Sequence, residues 1–154
     1  MAINPITSQF VAGAILTADQ MNRLPRGVVA FNESSTSLFS LTTSETTLCT
    51  VTFTIPATRQ IQLVGDIPLV DSPSTTQRVT ALIYQSSTQI LRHTNSTTTA
   101  TDAMDFALST AVSLVAGTYT FTLRAATTTG TNRVNAAGGT ATQCRLTAID
   151  LGPA

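Results

Sequence analysis

From Gly27 onward the chain alternates apolar and polar positions with a period of two. Cys49-Thr50-Val51-Thr52-Phe53-Thr54-Ile55 is one such run, and Tyr119-Thr120-Phe121-Thr122-Leu123 is another. Successive side chains of a strand point to opposite faces, so this spacing gathers the apolar set on one face and the hydroxyls on the other. The polar partner is mostly threonine, 31 residues of 154. Its branched Cβ is stiff and suits a pleated surface. The pattern predicts strands over 27–31, 36–42, 46–55, 59–69, 77–84, 89–94, 104–114, 118–126, 130–137 and 142–150. Turn-forming residues punctuate them, among them Pro56-Ala57, Asp71-Ser72-Pro73-Ser74, Ala116-Gly117 and Ala137-Gly138-Gly139. Val112-Ser113-Leu114 and Tyr119-Thr120-Phe121 read as a hairpin joining two core strands. Regularly spaced strands without helical patterns between them predict an all-β fold, an antiparallel β-sandwich of jelly-roll type.

The first 26 residues follow another rule. They carry little threonine, and their apolar residues include Ile3, Ile6, Phe10, Val11, Ile15, Leu16, Met21 and Leu24. Thr17-Ala18-Asp19-Gln20 has the form of a capping box, which satisfies the orphan donors of a helix start. Pro25 ends that helix, because the residue before a proline is pushed out of the α region. Two parts are therefore expected: an extended arm over 1–26 with a short helix at about 18–24, and a sandwich over 27–154. Burying half a dozen large side chains does not offset the backbone entropy of ordering such an arm. The arm thus needs a surface to lie on, and we expect that surface to belong to another subunit. Phe10, Ile15, Leu16, Met21, Leu24 and Pro25 are the expected anchors.

Composition narrows the partners. Charged residues are 10% of the chain and the formal net charge is zero. All eight cations are arginines, and they are scattered. A nucleic-acid surface needs clustered cations, so no nucleic-acid partner is expected. No run approaches the about 18 apolar residues that mark a membrane span, and no basic amphipathic segment suggests a membrane surface. No basic n-region precedes an apolar stretch, so synthesis in a cytosol without a secretory leader is expected. A surface this poor in charge has little protection against self-association.

Chemistry is sparsely supplied. His93 is the sole histidine and has no nucleophile elbow anywhere to serve; it reads as an exposed strand-end side chain. Asp66 and Asp71, and Asp102 and Asp105, are close in sequence but fit no calcium loop and read as solvated strand ends. Cys49 and Cys144 lack metal-ligand spacing and read as small buried hydrophobes, with a disulfide open if their strands adjoin. No enzyme activity, cofactor or metal is expected. A sugar-binding sandwich needs an exposed aromatic; Phe53, Tyr119 and Phe121 alternate inward, which leaves Tyr84 as the candidate platform of a host-glycan-binding module.

The two ends carry a resemblance. Phe10-Val11-Ala12-Gly13-Ala14-Ile15-Leu16-Thr17-Ala18-Asp19-Gln20-Met21-Asn22, followed by Leu24-Pro25-Arg26-Gly27-Val28-Val29, resembles the F-x-A-G-x-x-L-T-A-x-x-M-N openings of small virion proteins of tailed bacteriophages, especially those of actinobacterial hosts. Ala148-Ile149-Asp150-Leu151-Gly152-Pro153 is similar to the V-E-D-I/L-G-P ending of the same proteins, with Ala148-Ile149 in place of the V-E step. The resemblance implies a non-enzymatic virion component: a homotrimeric minor tail protein, tail-tip or fibre-like, fixed to other virion proteins through its arm. A capsid decoration protein clamping the shell is the alternative within that class.

Overall fold

The computed structural model describes residues 24–34, 39–71, 78–96, 103–128, 132–134 and 143–154. The expected helix, apart from Leu24, and the anchors Phe10, Ile15, Leu16 and Met21 lie outside the described residues. Ten strands follow in order: β1 Gly27–Glu33, β2 Phe39–Leu41, β3 Thr46–Ile55, β4 Arg59–Asp71, β5 Arg78–Gln85, β6 Thr88–Ser96, β7 Ala103–Leu114, β8 Gly117–Thr127, β9 Asn132–Val134 and β10 Arg145–Pro153.

All pairings are antiparallel and fall into two sheets. The first runs β1-β10-β4-β7, and β9-β2 continue it from the last two residues of β4. The second runs β3-β8-β5-β6. Along the described strands the chain changes sheet from β2 to β3, from β3 to β4, from β4 to β5, from β6 to β7, from β7 to β8 and from β8 to β9. That order is a jelly roll, as the strand spacing predicts.

One expectation needs correction. β7 and β8 are joined by the tight turn at Val115-Ala116, but they lie in different sheets and do not pair. The turn is a crossover over the end of the sandwich. Each strand finds its partner elsewhere: Ile61 faces Val112, and Val51 faces Phe121. The true hairpin is β5–β6, closed by Ser86-Ser87 with Ser86 at φ 52°.

The core lies between the sheets. Ile61, Leu63 and Ile67 of β4, Phe106 and Leu108 of β7, and Leu146 and Ala148 of β10 face Val51, Ile83, Phe121 and Leu123 of the opposite sheet. Phe53 stacks on Phe121 with ring centres 5.7 Å apart. Tyr119 packs at the margin of this cluster and its hydroxyl donates to the carbonyl of Val115, 2.9 Å away. Cys49 and Cys144 are buried free thiols, and Cys49 Sγ donates to the carbonyl of Cys144 at 3.0 Å.

Threonine coats the outer face of the second sheet. Thr52 and Thr120 stand opposite each other with hydroxyls 2.9 Å apart, Thr54 and Thr118 at 2.8 Å, and Thr80 and Thr94 at 3.0 Å. The hydroxyls answer one another across the strands, which is the sheet's own form of lateral stabilisation.

Candidate functional site

The feature that stands out is polar and buried. Arg59 opens β4 with its side chain turned inward, in line with Ile61 and Leu63, and only 2% of the residue is exposed. Asp150 of β10 is also turned inward and 1% exposed. Arg59 Nε donates to both oxygens of Asp150 at 3.0 and 2.9 Å, and Nη2 lies 2.9 Å from Oδ2. A fork-to-fork pair of this kind fixes both groups in orientation as well as in charge.

Local backbone completes the arrangement. The register between β10 and β4 slips between Asp150 and Gly152, and Gly152 sits at φ 121°, where a Cβ is strained. The bulge brings the amide of Gly152 to within 2.8 Å of Asp150 Oδ1. The other end of the clamp reaches the residues before β1: Arg59 Nη2 donates to the carbonyl of Leu24 at 2.5 Å. Two residues after Pro25, Gly27 takes φ 71° and turns the chain into β1. Leu24 is thus held over the end of the sandwich by a side chain that points into the core.

Around this root lie exposed apolar side chains. Directly opposed residues share a face, so Val28 with Ile149 and Phe31 with Thr147 point outward on the first sheet. Val28 is 61% exposed, Phe31 53% and Leu151 44%. Val64 of β4 and Ala111 and Ser109 of β7 continue the same rows across the face. At its far end the face turns polar, where Arg145 pairs with Glu33 at 2.6 Å beside Asp66. Asp66 is in mid-strand and half-buried rather than at a solvated strand end, and that burial raises the pKa of its carboxyl from the usual 3.8.

Two of the expected anchors are visible. Leu24 is 39% exposed, and Pro25 is exposed beside it. Tyr84 lies on the outer face of the second sheet near the end of β5. The Arg124 guanidinium stacks 4.3 Å from its ring centre, and its hydroxyl donates to Glu45 Oε1 at 2.8 Å. Arg124 also pairs with Glu45 at 3.3 Å. One face of the Tyr84 ring is thereby occupied by the protein's own cation. A shallow hollow of about 300 Å³ opens alongside, lined by Glu45, Thr80, Leu82, Arg92 and Thr127. His93 is exposed on β6 and meets Phe106 edge to face, with ring centres 5.7 Å apart. Among the described residues no group of three His, Cys, Asp or Glu side chains could hold a metal ion. No helix among them is long and apolar enough to cross a membrane.

No family model matches the sequence, and no curated protein is significantly similar to it. Solved structures are similar in fold. The Eiger TNF of S. frugiperda superposes with a TM-score of 0.50 at 13% identity, over 83% of this chain and 94% of that one. Infectious bursal virus derived T=1 particles give a TM-score of 0.45 at 12% identity, over 93% of this chain but 39% of that one. The first likeness bears out the jelly roll.

Proposed function

We propose that this protein is a structural subunit of a tailed-phage virion, a homotrimeric minor tail component that assembles through its N-terminal arm. The observation that carries the reading is the Arg59–Asp150 clamp on the carbonyl of Leu24. A buried ion pair is costly to desolvate and is weak evidence for stability alone. Here the same guanidinium also holds the carbonyl of Leu24, the residue that follows the apolar N-terminal segment. The exposed apolar rows beside that point, the low charge and the end motifs fit an assembling part rather than a catalyst. In this role the protein turns nothing over; it buries surface against its neighbours in the particle.

The test is to locate the protein in purified virions by immunogold labelling. Gold at the tail supports the reading. Gold on the shell supports the decoration alternative, and particles that carry no label overturn both.

A further inference from the structure

We propose that the outer face of the first sheet, along Val28, Phe31, Ile149 and Leu151, is the seat for the N-terminal arm of a neighbouring copy of this chain. The inference deepens the assembly reading above by naming the surface that receives the arm. Three of these side chains are about half exposed or more, and they sit in rows that hold no charge until Glu33 and Arg145. Even Phe31, with the Arg145 guanidinium 5.7 Å from its ring centre, keeps 53% of its surface open. The small side chains Ala107, Ser109, Ala111 and Ser113 flatten the far side of the same face, so an extended segment can lie close.

The arm has the matching chemistry. Twenty-three residues precede Leu24 in this chain, and from Met1 to Ala18 no side chain carries a charge. Ile3, Ile6, Phe10, Val11, Ile15 and Leu16 fall within that stretch. An uncharged apolar segment and a strip whose charges are confined to the Glu33–Arg145 end each gain by covering the other.

Geometry selects the neighbour over the chain's own sheet. The carbonyl of Leu24 is bonded by Arg59, which points into the sandwich. Val28, Phe31, Ile149 and Leu151 point the other way, out of the same sheet. The contact that holds Leu24 and the side chains of the strip thus lie on opposite sides of one sheet, which favours a neighbour's strip over the chain's own.

The test uses the full chain with a photo-crosslinking phenylalanine analogue in place of Leu16. Isotopically light and heavy chains are mixed, unfolded and refolded together, then irradiated and digested. Crosslinks from the arm of one label to peptides spanning Val28–Phe31 or Ile149–Leu151 of the other label are expected. Phe31→Asp should cut their yield about tenfold, as loss of a buried aromatic anchor does, while Thr52→Asp on the opposite sheet leaves it unchanged. Circular dichroism of each variant reports that the sandwich is intact. Crosslinks confined to one label, or directed to the threonine face, overturn the proposal. Either result leaves the virion reading standing, because gold labelling decides that separately.

Discussion

Arg59 and Asp150 sit on neighbouring strands with their charged groups 2.9 Å apart and at most 2% exposed. Removing one partner leaves the other's charge buried without its counter-ion, which costs about 3–5 kcal/mol. Asp150→Ala should therefore lower the unfolding free energy by that amount, read by urea denaturation. The double variant Arg59→Met, Asp150→Leu should be far less destabilised than either single change. It should also free the carbonyl of Leu24, and limited proteolysis should then cut near the arm root faster than in the unaltered protein.

Thr52 and Thr120 exchange a hydroxyl contact in full view of solvent. Replacing both by valine keeps the branched shape and removes donor and acceptor together, so stability should change by less than about 1 kcal/mol. Thermal denaturation checks this. Inside the sandwich, Asn132→Leu removes only one partner of the buried amide's 2.7 Å bond to Thr127 and should cost clearly more.

The two thiols are shielded by burial. It pushes Cys49 up to about 11 and Cys144 up to about 12, from an ordinary 9.0. The folded values lie above the unfolded ones, so this contribution to stability is complete below about pH 9 and fades as pH rises through 11 and 12. At pH 8 a thiol reagent should label the native protein at least about 100-fold more slowly than the unfolded chain. Equal rates would contradict the placement.

The phenol of Tyr84 donates to Glu45, and that bond raises its pKa from the usual 10.0. The protonated phenol is favoured by the fold. Its contribution is therefore present below pH 10.0 and is lost as pH climbs beyond it. Glu45→Ala, which removes the acceptor, should bring the phenol back toward the ordinary value in an absorbance titration.

Strand placement was legible because threonine alternation states the period directly. β3 matches the expected 46–55, and β4, β7 and β8 differ from expectation by two residues or fewer at each end. β2 Phe39–Leu41 and β9 Asn132–Val134 fall inside the expected 36–42 and 130–137, and residues 36–38, 130–131 and 135–137 of those expectations lie outside the described residues. Sheet membership was not legible. The turn at Val115-Ala116 looks the same whether it links paired strands or crosses a sandwich, and only distant partners decide. The same reason hid the clamp. Arg59 and Asp150 are 91 residues apart, and each looks like an ordinary polar residue near a strand end. The one local hint was Gly152, two residues after Asp150, whose positive φ allows the bulge that seats the carboxylate.

Assembly through the arm is tested most directly by native mass spectrometry of the full chain beside its Leu24→Asp variant. A trimer for the unaltered protein and a folded monomer for the variant are the expected masses. A monomer from the unaltered chain, or a trimer that survives the aspartate, would contradict the account.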